Sequence, residues 1–358
     1  MSKAAQLAAL IGSGQAQGDK NLIINGAMTV DQRNQTTTAT GYTVDRFHVA
    51  NVNFDELVIA VTQDTDNPSG NGFANSLKLA VTTAESAIAA DELLYYNTRL
   101  EGQNLQQLCY GTSSAKSLTL SFWVKSPLAG KHAVNFYQTT PARSNLQSYT
   151  VSSANTWEYK TITIDGDASG NIANDNSVEL YVYWPLAGGS DYHGTPHTGW
   201  GAYSATDDFM FSDQVNLAGQ TGNFFITGIQ LEIGDVATPF EHESFAETLQ
   251  KCQRYFQRYV SGANYTAFGV AQMGSSTNFK CAVEMVTTMR ASSTFSASNT
   301  GINHGPQRAV TSFNTSYIGK ERAWIDGTCA ATGLSAQQSA VWNANNNSAA
   351  YIQFDAEL

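Results

Sequence analysis

Residues 224–258, FFITGIQLEIGDVATPFEHESFAETLQKCQRYFQR, pass from a buried strand to an amphipathic helix within 35 residues, so this chain must contain a β layer that hands over directly to a helix. In the first half, Phe225, Ile229, Leu231 and Ile233 share one side and Ile226, Gln230 and Glu232 the other, the period of two of a half-buried strand. Pro239 ends that strand. In the second half, Ser244 and Glu247 fit a capping box, and Phe245, Leu249, Cys252, Phe256 and Tyr259 follow at steps of four, three, four and three. This spacing predicts a helix running through Tyr259 whose apolar seam needs a partner surface, either the chain's own sheets or other copies of the helix.

From Asn21 to Phe240 the chain reads as strands separated by turn residues. SLTLSFWVKS is the plainest, with Leu118, Leu120, Phe122 and Val124 facing one way and Thr119, Ser121, Trp123 and Lys125 the other. TWEYKTITI (156–164) and VELYVYW (178–184) repeat the pattern, and NPSGNG (67–72) and DGDASGNIANDN (165–176) read as loops. Segment 84–109, where the leucines are irregularly spaced, reads as strand and loop. Beyond Gly262, YTAFGVAQM (265–273) and YIQFDAEL (351–358) are further strands; Ile352, Phe354, Ala356 and Leu358 share a face, and Asp326-Gly327 predicts a hairpin turn. At the start, Ser2 caps a predicted helix in which Leu7, Leu10 and Ile11 lie on one face. A helix of fewer than about 12 residues persists in water only when docked, so these three residues are predicted to anchor the chain to something else. The expected organisation is a helix and tether at 1–18, a β domain at 19–240, a connecting helix at 241–262 and a smaller β domain at 263–358, a mainly β fold.

Composition excludes several functions. A net charge of -11 with 19 Lys and Arg leaves no cationic groove to displace counterions from a phosphate backbone, so nucleic acid is not an expected partner. No apolar run approaches the ~20 residues needed to cross a bilayer, and no membrane insertion is expected. Cys109, Cys252, Cys281 and Cys329 are too scattered for a zinc site or a disulfide framework and are read as mostly buried thiols. Polar Ser, Thr, Asn and Gln suit contact with hydroxyl-rich ligands.

Candidate chemistry concentrates in YWPLAGGSDYHGTPHTGW, where Trp184, Tyr192, His193, His197 and Trp200 crowd a Gly- and Pro-containing loop. Aromatic faces on such a loop stack on sugar rings, which makes these five the candidate glycan contacts; packing onto the sandwich or a neighbouring subunit is the competing reading. His193 and His197 have zinc spacing only on a helix, which Pro196 opposes. Asp165, Asp167, Ser169 and Gly170 imitate the start of a calcium loop, but Asn176 stands where the bidentate acid is required. No metal or cofactor is therefore expected. No GxSxG, HExxH or ordered Ser/His/Asp set is present, and a binding protein rather than an enzyme is expected.

Several segments in order resemble one family: NLIINGAMTVDQRNQ with YTVDRF, RLEGQNLQQL, AKSLTLSFWVKS, NTWEYKTITIDGD, FITGIQLEIGDVATPFEHESFAETLQKCQRYFQR and the closing FDAEL. They are similar to phage tail-fibre-like virion structural proteins of phages of aquatic bacteria. The resemblance implies a carbohydrate-binding-module-like jelly-roll β-sandwich, a connecting amphipathic helix and a C-terminal β domain, assembled as a homotrimer and located in the virion. The role expected on the particle is attachment to host surface glycans, with the N-terminus held by other virion proteins. The alternatives are a purely structural capsid or tail decoration protein (head fibre) and, behind it, a glycan depolymerase.

Overall fold

The computed structural model describes residues 20–194, 196–206, 209–330 and 332–358, without the side chains of 315 and 316. The expected anchor residues Leu7, Leu10 and Ile11 lie outside the described residues. The protein is mainly β, and it divides into two compact units, Met1–Thr248 and Leu249–Leu358.

Unit 1 contains β1 (Gly41–Tyr42), β2 (His48–Val52), β3 (Val58–Asp64), β4 (Ser76–Thr83), β5 (Leu93–Glu101) and β6 (Leu118–Lys125), followed by β7 (Gly130–Gln138), β8 (Arg143–Val151), β9 (Glu158–Ile164), β10 (Val178–Gly188), β11 (Gly201–Ala202) and β12 (Gly222–Ile233). They form a seven-stranded sheet, β1-β2-β5-β10-β7-β8-β11, and a five-stranded sheet, β3-β4-β12-β6-β9, with antiparallel pairing throughout. The alternation read from SLTLSFWVKS is realised, because Leu118, Leu120, Phe122 and Val124 are all fully buried. They meet Leu180, Val182, Trp184 and Leu186 of β10 in one core shared by both sheets. Pro185 sits inside β10 beside a register shift, where the lost N–H is tolerated. In segment 84–109, β5 is followed by two 3-10 turns that bury Leu105 and Leu108.

Strand β12 departs from the expected parity. Thr227 faces Trp123 and Gln230 faces Ser121, so Gly228 and Ile229 of β12 together oppose the single residue Phe122 of β6. The bulge centres on Gly228, with φ +61, whose missing side chain admits the ring of Phe73. Before it the core face is Phe224 and Ile226; after it, Ile229 and Leu231. The placement of Phe225 with Ile229 and of Ile226 with Gln230 is thereby corrected, since the extra residue inverts the faces partway along.

The helix, α1 (Phe245–Gln253), is also shorter than its periodicity suggested. Its capping box is present: Ser244 N–H donates to Glu247 Oε2 at 3.0 Å and Glu247 N–H to Ser244 Oγ at 3.3 Å. It ends where Tyr255 N–H reaches back to the Cys252 carbonyl at 2.9 Å, and β13 (Phe256–Val260) begins at once. Phe256 and Tyr259 are thus strand residues and extend no helical seam with Phe245, Leu249 and Cys252. Pairing of Phe256–Val260 with the C-terminal strand engages five consecutive residues, of which Phe256, Tyr259 and Val260 favour β structure, and that outweighs the helical spacing. Cys252 is buried, Leu249 half-buried and Phe245 59% exposed, so the seam does not close within the described residues.

Unit 2 continues with β14 (Ala267–Met273), β15 (Asn278–Glu284), β16 (Thr294–Ser298), β17 (Thr300–Asn303), β18 (Gln307–Ile318), β19 (Arg322–Cys329), β20 (Ser339–Ala344) and β21 (Tyr351–Asp355). Strands β14-β15-β19-β18-β17-β20 close a barrel, and β13-β21-β16 form a three-stranded sheet. Ile352, Phe354 and Ala356 are buried in the unit's core, as their alternation implied. Asp326-Gly327 is not a turn: β19 runs straight through it, paired with β15 and β18. Gly327 is required there because a Cβ would lie 2.1 Å from the ring of Phe279. The four cysteines are free thiols, three of them buried.

Gly228→Ala is expected to lower the stability of unit 1 by about 2–4 kcal/mol, from left-handed strain plus overpacking against Phe73. Gly70→Ala, at φ +79 in open space, is expected to cost about 1 kcal/mol or less from strain alone. Urea denaturation of the two variants checks the difference.

Candidate functional site

The pleat that buries Leu94, Tyr96 and Leu100 of β5 turns Tyr95, Asn97 and Arg99 to the other face of the seven-stranded sheet. The same parity turns Tyr181 and Tyr183 on β10 and Tyr137 on β7 to that face, half-buried, with Asn135 of β7 beneath them fully buried. Register then aligns them across strands. Arg99, Tyr181, Tyr137 and Ser144 form one row, and His48, Asn97, Tyr183 and Asn135 the next.

The rings make a continuous aromatic surface. Tyr181 and Tyr183 lie parallel with centroids 5.2 Å apart and planes within 1°. Tyr137 lies 5.6 Å from Tyr181 and 4.5 Å from Tyr203, while Tyr95 and Phe209 approach Tyr183 at 5.2 and 5.1 Å. Arg99 crosses the face, its guanidinium carbon 5.4 Å from the Tyr181 centroid and 5.7 Å from that of Tyr42. Its Nε donates to Asn97 Oδ1 at 3.1 Å, and Asn97 Nδ2 lies 3.4 Å from His48 Nδ1. The tyrosines are half-buried, held by their neighbours yet open on one side. Burial raises the phenols of Tyr95, Tyr137 and Tyr183, which stay neutral hydrogen-bonding groups. Burial, and then Arg99, lowers His48 to about 4, so it is neutral at ordinary pH. The surface offers flat apolar rings edged by donors and acceptors.

The five loop residues singled out from sequence do not form one patch. Trp184 is fully buried, 6.0 Å from Phe122, because it continues the inward parity of Leu180 and Val182; as a glycan contact it is corrected. Tyr192 borders the aromatic face, 6.2 Å from Phe209, and its hydroxyl donates to the Asp91 carbonyl at 3.2 Å. His193 is half-buried and His197 exposed. Trp200 engages different neighbours, donating Nε1–H to the Asp165 carbonyl at 2.8 Å and packing 5.8 Å from Tyr110. The residues missed were Tyr95, Arg99, Tyr137, Tyr181, Tyr183 and Tyr203. In VELYVYW the tyrosines alternate with Leu180, Val182 and Trp184, and that alternation was the available signal.

Other charged groups are mostly committed. Asp167, 2% exposed, accepts from Arg143 Nε at 2.5 Å, which occupies the acid at the heart of the calcium-like loop. Glu241 accepts the Asn21 N–H at 2.8 Å beside a cavity of about 190 Å³, where His242 rests on Phe73 and Phe240. The Asp55, Glu85 and Glu92 carboxylates lie within 4.8 Å of one another, oxygen donors of the kind hard cations take. Glu85 accepts the Leu57 N–H at 3.1 Å and Glu92 the Ala89 N–H at 2.8 Å. Burial, then the neighbouring carboxylates Glu85, Asp55 and Asp91, raises Glu92. On the barrel of unit 2, Val270 faces Val341 and Trp324 faces both Ala282 and Tyr317, an outward apolar row in which Val270 is 73% and Tyr317 71% exposed.

Neither a protein-family model nor a curated protein matches the chain. Solved structures similar to it include the enzymatically active domain of bacteriophage CBA120 tailspike protein 4, with TM-score 0.35 and 11% identity over 60% of this chain and 21% of that one. The family 11 carbohydrate-binding module from Clostridium thermocellum, in complex with a β-1,3-1,4-mixed-linked tetrasaccharide, matches with TM-score 0.29 and 13% identity over 54% of this chain and 91% of that one. The C-terminal family 22 carbohydrate-binding module of Clostridium thermocellum Xyn10B matches with TM-score 0.30 and 10% identity over 62% and 98%. The match spans about a fifth of the tailspike domain, and likenesses at this level assign no ligand or reaction to this chain.

Two pH effects follow from the buried groups. His48 and His132 are both lowered from 6.5 to about 4, chiefly by burial, so between those values the unfolded chain binds more protons. Stability is expected to fall as pH drops through that window and to level off below it, by at most roughly 3 kcal/mol per group. His48→Asn should flatten this loss, measured as urea midpoints at the two ends of the window. Glu92 has the opposite sign: its raised value favours the protonated folded state, a contribution lost as pH rises above 4.5. Glu92→Gln is expected to stabilise the protein near neutrality in chelator-containing buffer, with the gain vanishing in acid.

Proposed function

We propose that this chain is a non-enzymatic, tail-fibre-like virion protein whose unit 1 is a carbohydrate-binding jelly roll that lays a host-surface glycan along the outer face of the seven-stranded sheet. One observation carries the reading: Tyr95, Tyr137, Tyr181 and Tyr183 on the sheet, with Tyr203 just beyond β11, present contiguous rings beside Arg99. Pyranose rings carry C–H groups on one face and hydroxyls at the rim, so stacking and edge hydrogen bonds are satisfied together. Neutral phenols recognise hydroxyls without favouring an ion. In this reading the segment bearing Leu7, Leu10 and Ile11 attaches to another virion protein. Assembly as a homotrimer multiplies weak sites into useful avidity.

A structural reading, decoration of a capsid or tail, draws on a different observation, the exposed row of Val270, Val341, Trp324 and Tyr317 on unit 2, which suits burial against another protein. A microarray of neutral bacterial and plant polysaccharides separates the two. The full chain is expected to bind at least one glycan, and Tyr181→Ala and Tyr137→Ala, folded by circular dichroism, to bind it about tenfold more weakly or worse. Absence of any retained glycan, or full binding by both variants, leaves the structural reading. Release of reducing sugar would establish an enzyme instead.

A further inference from the structure

Between β8 and β9, a cavity of about 400 Å³ opens on the flank of unit 1, lined among others by Arg143, Asn145, Gln147, Asp165, Thr198 and Trp200. Its floor is fixed. Asp167 accepts from Arg143 Nε at 2.5 Å and from the Ser169 N–H at 3.1 Å, and Arg143 Nη2 donates to the Trp200 carbonyl at 3.2 Å. Its aromatic wall is fixed too, because the Trp200 indole is tied to the Asp165 carbonyl and set edge-on to Tyr110. Gln147 Nε2 donates to Asn145 Oδ1 at 2.6 Å and to the Thr198 carbonyl at 2.8 Å. That leaves Gln147 Oε1 as an acceptor and Asn145 Nδ2 as a donor with no partner among the described residues.

The lining selects by charge as well as shape. Arg143 is neutralised by Asp167, and Asp165 adds an exposed negative charge, so a phosphate or sulfate finds no surplus cation there. The volume falls within the range of about 300–1,000 Å³ usual for small-molecule sites. An indole wall opposite amides, a threonine and a carboxylate matches a ligand with one C–H face and hydroxyls that both donate and accept. We propose that this flank cleft is a second carbohydrate site that holds one or two units of a neutral glycan. It uses none of the tyrosines of the sheet face and stands whether or not that face binds glycan.

The test uses the full chain labelled with 5-fluorotryptophan, whose six tryptophans report separately by ¹⁹F NMR. Trp200→Phe identifies the Trp200 signal by its loss. D-glucose, D-galactose, D-mannose and N-acetyl-D-glucosamine are each titrated in turn. At least one is expected to shift the Trp200 signal saturably while the buried Trp184 signal stays still. Gln147→Ala should weaken that response about tenfold, and Tyr181→Ala should leave it unchanged. The proposal is overturned if none of the four sugars moves the Trp200 signal, or if the response survives Gln147→Ala intact. Loss of the response in folded Tyr181→Ala would likewise overturn it, by showing that the cleft is not a separate site. Failure of the sheet-face reading would appear instead as unchanged polysaccharide binding by Tyr181→Ala and Tyr137→Ala.

Discussion

Leu180, Val182, Trp184 and Leu186 of β10 must face the five-stranded sheet, because only there does their surface leave water, and the same pleat sends Tyr181 and Tyr183 outward. The aromatic face of unit 1 is therefore a by-product of core packing that neighbouring strands have elaborated. Arg99 and Tyr137 reach the same row only because β5 and β7 flank β10 in a matching register. A slip of one residue in any of these strands would bury its tyrosines and expose its core residues, so the stability of the sandwich enforces the geometry of the surface. Trp184 shows the constraint most clearly, since its neighbour in sequence is on the surface while it is wholly buried.

How much of this the sequence disclosed depends on how far each signal extends. Uninterrupted alternation in β6 and β21 was enough to identify their core faces. In β12 the alternation was present but broken by one extra residue at Gly228, and the need for it lies in the ring of Phe73, distant in sequence. Gly327 failed as a turn for the same kind of reason, since Phe279 on a paired strand occupies the space of its absent side chain. In both cases a local motif had two readings and a long-range contact selected between them. The helix shows the ambiguity in its simplest form: Phe256 and Tyr259 satisfy helical spacing, yet backbone pairing with Tyr351–Asp355 makes them strand residues.

The candidate site was less legible than the fold. The sequence points to a loop dense in aromatic residues, whereas the surface is assembled from Tyr95 on β5, Tyr137 on β7 and Tyr181 and Tyr183 on β10, together with Tyr203 beyond β11. Each looks ordinary within its own segment. Their significance arises from pairing, which brings residues 95, 137, 181 and 203 together and which sequence spacing does not encode. Trp200 stood among the loop's candidate glycan contacts, but its companions in the structure are Arg143, Asn145 and Gln147 rather than the loop's histidines.

Charge determines what such a protein can exclude. The chain carries 30 acidic against 19 basic residues, so an acidic polymer meets net repulsion before it reaches either surface of unit 1. At the sheet face, Arg99 is shared among two rings and Asn97, which spreads its positive charge over the aromatic surface instead of presenting a single anion site. In the cleft, Arg143 is spent on Asp167. What both surfaces offer a ligand is then rings and neutral hydrogen-bonding groups, whose individual contributions are modest. Trp200 and Tyr203 lie three residues apart, one lining the cleft and the other on the sheet face, so a glycan that turns around the edge at β11 would touch both. If both proposed sites bind, one ligand joining them would act at high effective concentration, and the combined affinity would depend on the shape of the glycan as much as on its composition.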